Sequence, residues 1–238
     1  MSLRHHRAAG SFDATSTQHL PEPARRWLCH SIAAGTPLHT VTEIEMEGSI
    51  RLKNAWEPFA ARQIISLPHG FIWAADARVR GIPITGFDRY SSRSGEMRWR
   101  MLNLIPVMSA SGDDITRSTA GRLVSEAVFL PTAFRQASWR VGDSDDTVVM
   151  GFTIDGETEE VTMTIGHDGR LLGVIIDRWG SPDGGPFARY PFGVTIEEEM
   201  TVDGVTVPAV VRAGWWWGTD RQSEGEFFRA RITKIGFG

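Results

Sequence analysis

The chain has 238 residues, of which 41% are hydrophobic and 23% charged, and its net charge at pH 7 is −4. This composition is typical of a folded soluble protein, because disordered chains carry fewer apolar residues and more net charge. The longest aliphatic stretch, residues 171–176, is far shorter than the ~20 apolar residues that a membrane helix needs. The sequence therefore predicts no transmembrane segment, and a core large enough to fold without a metal ion or disulfides.

The cysteine content and the charge distribution indicate the cellular compartment of the protein and exclude some classes of binding partner. A single cysteine, Cys29, excludes an internal disulfide and a thiolate-rich metal site. The first eighteen residues contain no apolar segment of the kind found in signal peptides, so we expect a cytoplasmic protein. Residues 141–169 contain eight Asp or Glu and no Lys or Arg. Together with the negative net charge, this acidic segment argues against nucleic acid as a partner.

The N-terminal region reads as a tail followed by a helix. Residues 1–18 are polar and lack periodicity, and we predict a disordered tail there. Pro21 and Pro23 suit the first turn of a helix, where a backbone N–H is not needed. Apolar residues then recur at helical spacing until Gly35: Ala24, Trp27, Leu28 and Ile32.

From residue 41 onwards, most segments alternate between apolar and polar side chains. In VTEIEMEGSIRL, for example, the alternation indicates a strand with one buried and one solvated face. Asp-Gly pairs at 155–156, 168–169 and 203–204 are typical of hairpin turns. One helical stripe at 120–128 interrupts the strands, and Pro131 ends it.

About a dozen antiparallel strands in one sheet must curl or split. We therefore predict a mainly β (α+β) fold with one large, strongly curved antiparallel sheet. This half-barrel is covered by the N-terminal helix and the mid-chain helix, and residues 19–238 form a single domain. A sandwich is the alternative architecture.

Motifs of the common enzyme classes are absent: the sequence has no phosphate-binding loop, HExxH, GxSxG or GxGxxG. Polar residues on faces that the alternation makes apolar are more informative, namely Asn103, Asp177 and Glu198. A carboxylate on such a face must be paired, protonated or set in a pocket. The alternative is that a bulge or strand end moves these residues to the rim, or that an arginine pairs with them.

The tryptophans fit two interpretations, a solid hydrophobic core or the wall of a cavity. Five of the nine lie on apolar faces of predicted strands and a sixth, Trp139, lies in another strand. Buried tryptophans fit a solid core between sheet and helices. The solid core is the default interpretation, and the alternative is the wall of a cavity for an apolar or ring-containing ligand.

In its order of motifs, the chain resembles a family of bacterial domains of unknown function. The resemblance rests on Leu-Pro at 20–21, WEPFAARQ at 56–63, FIWAA at 71–75, Asp88, and SEAVFLP at 125–131. The later GVTVPAVV and EFFRARI resemble the closing hairpin of that family. The resemblance implies an architecture similar to the half-barrel of bacterial lipoprotein-carrier proteins, in which a curved sheet and a helical lid hold acyl chains.

Two functional hypotheses follow. The first is a cytoplasmic binding protein for an apolar or aromatic small molecule or lipid, held in a Trp-lined cavity on the concave sheet face. Its candidate ligand-binding residues are Trp73, Trp99, Met101, Asn103, Trp139, Trp179, Trp215 and Trp217. The second is a cofactor-free cyclase, isomerase or hydrolase for a hydrophobic metabolite, with Asp88, Glu126 and Glu198 as acid–base candidates. Neither hypothesis involves a metal ion, and the oligomeric state is left open.

Overall fold

The fold is mainly β. This computed structural model describes residues 10–53 and 55–238, which form thirteen strands, three α-helices and three short 3-10 helices. The strands are β1 (Val41–Leu52), β2 (Ala55–Ser66), β3 (Gly70–Val79), β4 (Ile82–Ser91), β5 (Ser94–Met101), β6 (Ile105–Ser111), β7 (Ser138–Val141), β8 (Thr147–Ile154), β9 (Glu157–Ile165), β10 (Leu171–Gly180), β11 (Ala188–Val202), β12 (Val205–Trp215) and β13 (Glu226–Phe237). The helices are α1 (Glu22–Ser31), α2 (Asp113–Ser125) and α3 (Gln222–Gly225), with 3-10 helices at Ala14–Thr17, Glu126–Phe129 and Pro131–Gln136.

All thirteen strands belong to one antiparallel sheet, in the order β6-β5-β4-β3-β2-β1-β13-β12-β11-β10-β9-β8-β7. The first six strands form one meander and the last seven form another, and the two meanders join where β1 pairs with β13. The sheet is strongly curved and does not close on itself. Bulges contribute to this curvature, as opposite Glu45 and Met46 of β1, where β13 has an extra residue, because such an insertion in one strand increases the local twist. The predicted half-barrel is confirmed.

Helix α2 lies across the concave face and reaches both halves of the sheet. It follows the edge strand β6 and precedes the opposite edge strand β7 in the chain. It packs against β5 on one side and against β9 and β10 on the other. The approach to β5 is close, since a Cβ atom at Gly95 would lie 2.7 Å from the Ile115 carbonyl oxygen. Leu123 and Val124 are fully buried beneath the helix, so α2 acts as a roof over the sheet.

Helix α1 lies at the turns of the C-terminal meander. Arg26 Nε donates a hydrogen bond to the carbonyl of Gly166, in the turn between β9 and β10, at 2.8 Å. The Ala33 amide donates to the carbonyl of Gly204, in the turn between β11 and β12, also at 2.8 Å. The apolar face of α1, including Trp27, is buried in the main hydrophobic core.

Residues 10–18 differ from the predicted disordered tail. Phe12 is 3% exposed and packs edge-to-face on Phe134, with ring centroids 5.9 Å apart. Asp13 caps the first 3-10 helix by accepting a backbone hydrogen bond. The prediction is therefore wrong for this segment, because one buried aromatic side chain and one cap hold a sequence that has no periodicity. Residues 1–9, also part of the predicted tail, lie outside the described residues.

Candidate functional site

A cavity of about 530 Å³ lies between the concave face of the sheet and α2. Its volume falls in the range of about 300–1,000 Å³ that is usual for small-molecule sites. Strands β1–β6 and β10–β13 line it together with α2, and most of the lining is apolar. Among the apolar lining residues are Met46, Phe59, Ile84, Met97, Phe228 and Ile232.

The edge strand β6 forms part of the cavity wall and is itself partly exposed to solvent. Val107 and Met108 line the cavity, yet these side chains are 48% and 43% exposed. An edge strand has no neighbour on one side, so the wall that it forms is thin.

A second depression, of about 610 Å³, lies where β1, β12 and β13 meet. It is wide open, and charged side chains that pair with each other surround it, for example Arg212 and Glu197 at 2.6 Å. Because such groups remain solvated, the depression lacks the shielded apolar surface that gives a small-molecule site its affinity. The cavity under α2 is the better candidate site.

Three of the eight candidate ligand-binding residues line the cavity: Trp73, Trp99 and Trp215. Trp73 and Trp99 lie on neighbouring sides of the wall, with ring centroids 5.7 Å apart. The Trp99 indole nitrogen donates to Asp88, whereas the buried Trp73 indole nitrogen has no acceptor among the described residues. The rings of these three residues pack on the hydrophobic core and also form part of the cavity wall.

The other five candidates lie away from the cavity lining. Trp139 packs against Trp27 of α1, with ring centroids 6.1 Å apart. Trp179 holds the first turn of α2, since its indole nitrogen donates to Asp114 at 2.8 Å. The remaining three lie at or beyond strand ends: Met101, Asn103 and Trp217. Alternation indicates the face of a strand but not where the strand ends, which explains their inclusion.

One polar cluster lies within this apolar cavity and is centred on Arg122 of α2. Arg122 Nη1 donates to Asp88 Oδ2 at 2.9 Å, and its Nε donates to Glu126 Oε1 at 2.8 Å. The outer oxygens of both carboxylates are also bound, since Trp99 donates to Asp88 at 3.0 Å and Gln63 donates to Glu126. The cluster thus links β2, β4 and β5 to the roof helix.

The charges of this cluster stabilise one another. Burial alone would lower the pKa of Arg122, but the negative charges of Glu126 and Asp88 outweigh burial and raise the pKa above its ordinary value. The guanidinium also stacks over Phe71 and Trp73, at 4.8 and 5.1 Å from the ring centroids. The charged side chain of Arg122 therefore connects helix α2 to the sheet. The i,i+4 spacing of Arg122 and Glu126 is the signal that the sequence offers for it.

A second arginine, Arg178 of β10, lines the same cavity. Its Nε donates to the backbone carbonyl of Ser118 in α2 at 3.1 Å. Its guanidinium stacks over Phe192 and Trp215, at 4.8 and 5.3 Å from the ring centroids. Burial, and next the positive charge of Arg122, lower the pKa of Arg178 to about 10. The sequence pattern suggested Arg178 only as a partner for an acid on an apolar face and did not predict that it lines the cavity.

The three acids of the enzymatic hypothesis do not come together. Asp88 and Glu126 lie in the cavity, whereas Glu198 is exposed on β11 and accepts from both terminal nitrogens of Arg231, at 2.8 and 3.0 Å. This hydrogen bonding lowers the pKa of Glu198. The register of β11 shifts on both sides of Glu198. A bulge and an arginine therefore account for its position in the alternating pattern, and Asp177 of β10 is likewise exposed.

Two further features bear on function. Within residues 10–53 and 55–238, no group of three or more His, Cys, Asp or Glu side chains is arranged to hold a metal ion. In the same part of the chain, no helix has the length and hydrophobicity required to cross a bilayer.

Comparison with known proteins places the chain in a family. The sequence matches the family of unknown function DUF6544 over residues 10–227. The chain belongs to this family. A comparison of this DUF6544 protein with curated proteins finds no match.

Three solved structures match nearly the full length of the DUF6544 chain. A LolA superfamily protein from Nitrosomonas europaea is 8% identical, with a TM-score of 0.51 over 95% of this chain and 94% of that chain. A putative outer membrane lipoprotein-sorting protein domain from Vibrio parahaemolyticus is 9% identical, with a TM-score of 0.49 over 94% and 93%. A DUF1329 family protein from Desulfovibrio piger is 11% identical, with a TM-score of 0.38 over 91% and 90%. The resemblance predicted from the sequence motifs, a family of unknown function with a lipoprotein-carrier-like architecture, is confirmed.

Proposed function

We propose that this DUF6544 protein is a cytoplasmic binding protein for an apolar small molecule or lipid. The observation that carries the proposal is the cavity of about 530 Å³, which combines an apolar lining with a roof helix fixed by the Arg122 cluster. The likeness to the LolA superfamily concerns the fold, so the cavity itself supports the function. Fractionation of the native host cells would test the cytoplasmic location, and recovery in the membrane or periplasmic fraction would contradict it.

Apolar transfer supplies the binding energy in this proposal. Each methylene group moved from water into an apolar site contributes about 0.8 kcal/mol. Affinity should therefore rise roughly fourfold for each methylene added to a linear alcohol, until the chain fills the cavity. A flat response to chain length would contradict binding in the cavity.

Two neighbouring alanines of β3 provide a matched test. Ala75 lines the cavity, whereas Ala74 points to the opposite face and is exposed. Ala75→Phe places a ring inside the cavity, and Ala74→Phe adds the same ring to the outer surface. The neutral fluorophore N-phenyl-1-naphthylamine reports binding by its increased emission. We expect at least tenfold weaker binding for Ala75→Phe and unchanged binding for Ala74→Phe.

The outcomes of this experiment separate the proposal from a solid-core interpretation. If the wild-type protein does not bind the fluorophore or any linear alcohol, the proposal is wrong. Equal binding by both variants would place the binding site outside the cavity and would also overturn it. Circular dichroism of each variant confirms that the fold is retained.

A further inference from the structure

The cavity contains a cation that no carboxylate of the described residues contacts. Arg122 is bound to Asp88 and Glu126, but Arg178 has only Ser118 as a hydrogen-bond partner within the described part of the chain. An arginine inside a protein is usually paired with an acid, because burial of an isolated charge costs free energy. The Arg178 guanidinium thus lies in the cavity wall without a neutralising contact.

The β9 acid whose charge acts on Arg178 is also engaged elsewhere. Glu159 of β9 is buried, and both of its carboxylate oxygens accept hydrogen bonds from Arg189, each at 2.9 Å. Its charge acts on Arg178 through space, as do the acids of the Arg122 cluster. Despite these acids, burial and the Arg122 charge keep the pKa of Arg178 below its ordinary value. The surroundings therefore do not compensate the cation fully.

The donors of Arg178 are only partly used. Nε donates to the Ser118 carbonyl at 3.1 Å, and Nη2 approaches the Ser118 hydroxyl at 3.4 Å, at the limit of a hydrogen bond. Nη1 has no hydrogen-bond partner among residues 10–53 and 55–238. A guanidinium has five N–H donors in a planar fork that matches the two oxygens of a carboxylate. The unused side of this fork can bind such a group.

The apolar residues around Arg178 indicate that the rest of the ligand is apolar. Phe192 and Trp215 stack on the guanidinium and continue into the apolar wall formed by β11 to β13. We infer that the cavity binds an anionic amphiphile, with its carboxylate on Arg178 and its apolar chain along this wall. The inference rests on the proposed function and adds to it the chemical class of the ligand and the residue that selects it.

Two ligands of equal chain length test the inference in the wild-type protein. Dodecanoate and dodecan-1-ol, each below its aggregation concentration, compete with N-phenyl-1-naphthylamine at pH 8. A charge-assisted hydrogen bond predicts that dodecanoate binds about 10- to 100-fold more tightly than dodecan-1-ol. The comparison needs no variant, so it stands even if a substitution at Arg178 impairs folding.

Variants then assign the preference to one residue. Arg178→Met keeps the length of the side chain and removes its charge, and it should abolish the preference while retaining the affinity for dodecan-1-ol. Arg178→Lys keeps the charge without the fork and should retain part of the preference. Arg117→Met is the matched control, since Arg117 stacks on Trp179 outside the cavity lining, 3.8 Å from the ring centroid. This control should keep the full preference.

The possible results distinguish this inference from the proposed function. Equal affinities of the wild-type protein for dodecanoate and dodecan-1-ol overturn the anionic ligand and leave an apolar binding protein. A preference that persists in Arg178→Met overturns the assignment to Arg178. If neither compound displaces the fluorophore, the inference of an amphiphilic ligand is wrong. If neither the fluorophore nor any linear alcohol binds to the wild-type protein, the proposed function fails as well.

Discussion

Replacement of Arg122 by methionine tests whether the ion cluster fixes the roof helix. The substitution keeps most of the side-chain volume but removes the charge between Asp88 and Glu126. The side chains of these three residues are 17%, 10% and 18% exposed, so two carboxylates would be left shielded and without their cation. Loss of one partner from a buried ion pair costs about 3–5 kcal/mol in the free energy of unfolding.

For a chain of this length, that loss corresponds to a fall of roughly 6–20 °C in Tm. Contact of the cavity with solvent moves the expected value towards the lower end. Urea unfolding followed by tryptophan fluorescence and far-UV circular dichroism measures the change. The same substitution at Arg231, whose ion pair with Glu198 is more than half exposed, is the control and should change stability little.

The triple variant Arg122→Met, Asp88→Asn, Glu126→Gln isolates the reason for the loss. It removes both negative charges along with the cation, so it should be more stable than Arg122→Met alone. If Arg122→Met loses no more stability than Arg231→Met, the cluster does not hold the helix on the sheet. The account of the roof would then be wrong.

Three further predictions concern the sheet and the cavity. Gly48→Ala should destabilise the protein by about 1–3 kcal/mol in urea unfolding, because the new Cβ would collide with the Arg229 carbonyl oxygen, where the two meanders join, and would lie 2.9 Å from Ala230 Cα. Gly236→Ala is the control and should be nearly neutral, since a Cβ there would have free space around it. Burial and the hydrogen bond to Asp155 raise the pKa of Tyr90 in the folded protein. The contribution of Tyr90 to stability is therefore present below pH ~10 and is lost as the pH rises further. Between pH 9 and 11, the free energy of unfolding of Tyr90→Phe should fall less steeply than that of the wild-type protein. Linear alcohols should raise the Tm of the wild-type protein in the order of their chain length, and a Tm that is insensitive to them would contradict cavity binding.

The sequence predicted the sheet well because each strand has one apolar face. Alternation in residues 41–52, for instance, matches β1 closely, and the number of such strands required a curled sheet. The order of the strands follows from consecutive hairpins in both meanders. The pairing of β1 with β13 brings together residues that are nearly two hundred positions apart, and no local pattern encodes it.

The candidate site was predicted less completely, and β10 shows why. Strict alternation puts Asp177 on the face of Leu171 and leaves Arg178 on the polar side. A register shift between Leu171 and Gly173 reverses this, so that Arg178 lies on the same face of β10 as the buried Ile176 and lines the cavity. Because of this single bulge, the alternating pattern did not predict that Arg178, the cation without a carboxylate contact among the described residues, lines the cavity.

Arg122 was missed for another reason. Its partner Asp88 lies on β4, far along the chain, and only the return of α2 across the concave face brings the two side chains together. Sequence spacing reports the Glu126 contact because both residues lie one helical turn apart. Residues that meet through tertiary folding leave no such signal.

Native mass spectrometry of the protein purified from its own host tests the central claim most directly. If the cavity under α2 binds an apolar ligand, the wild-type spectrum should contain a second species whose extra mass is released on denaturation. Ala75→Phe, purified in the same way, should lack this species, and Ala74→Phe should retain it. A wild-type spectrum that contains only the mass of the chain, or an extra mass that persists in Ala75→Phe, would contradict the account.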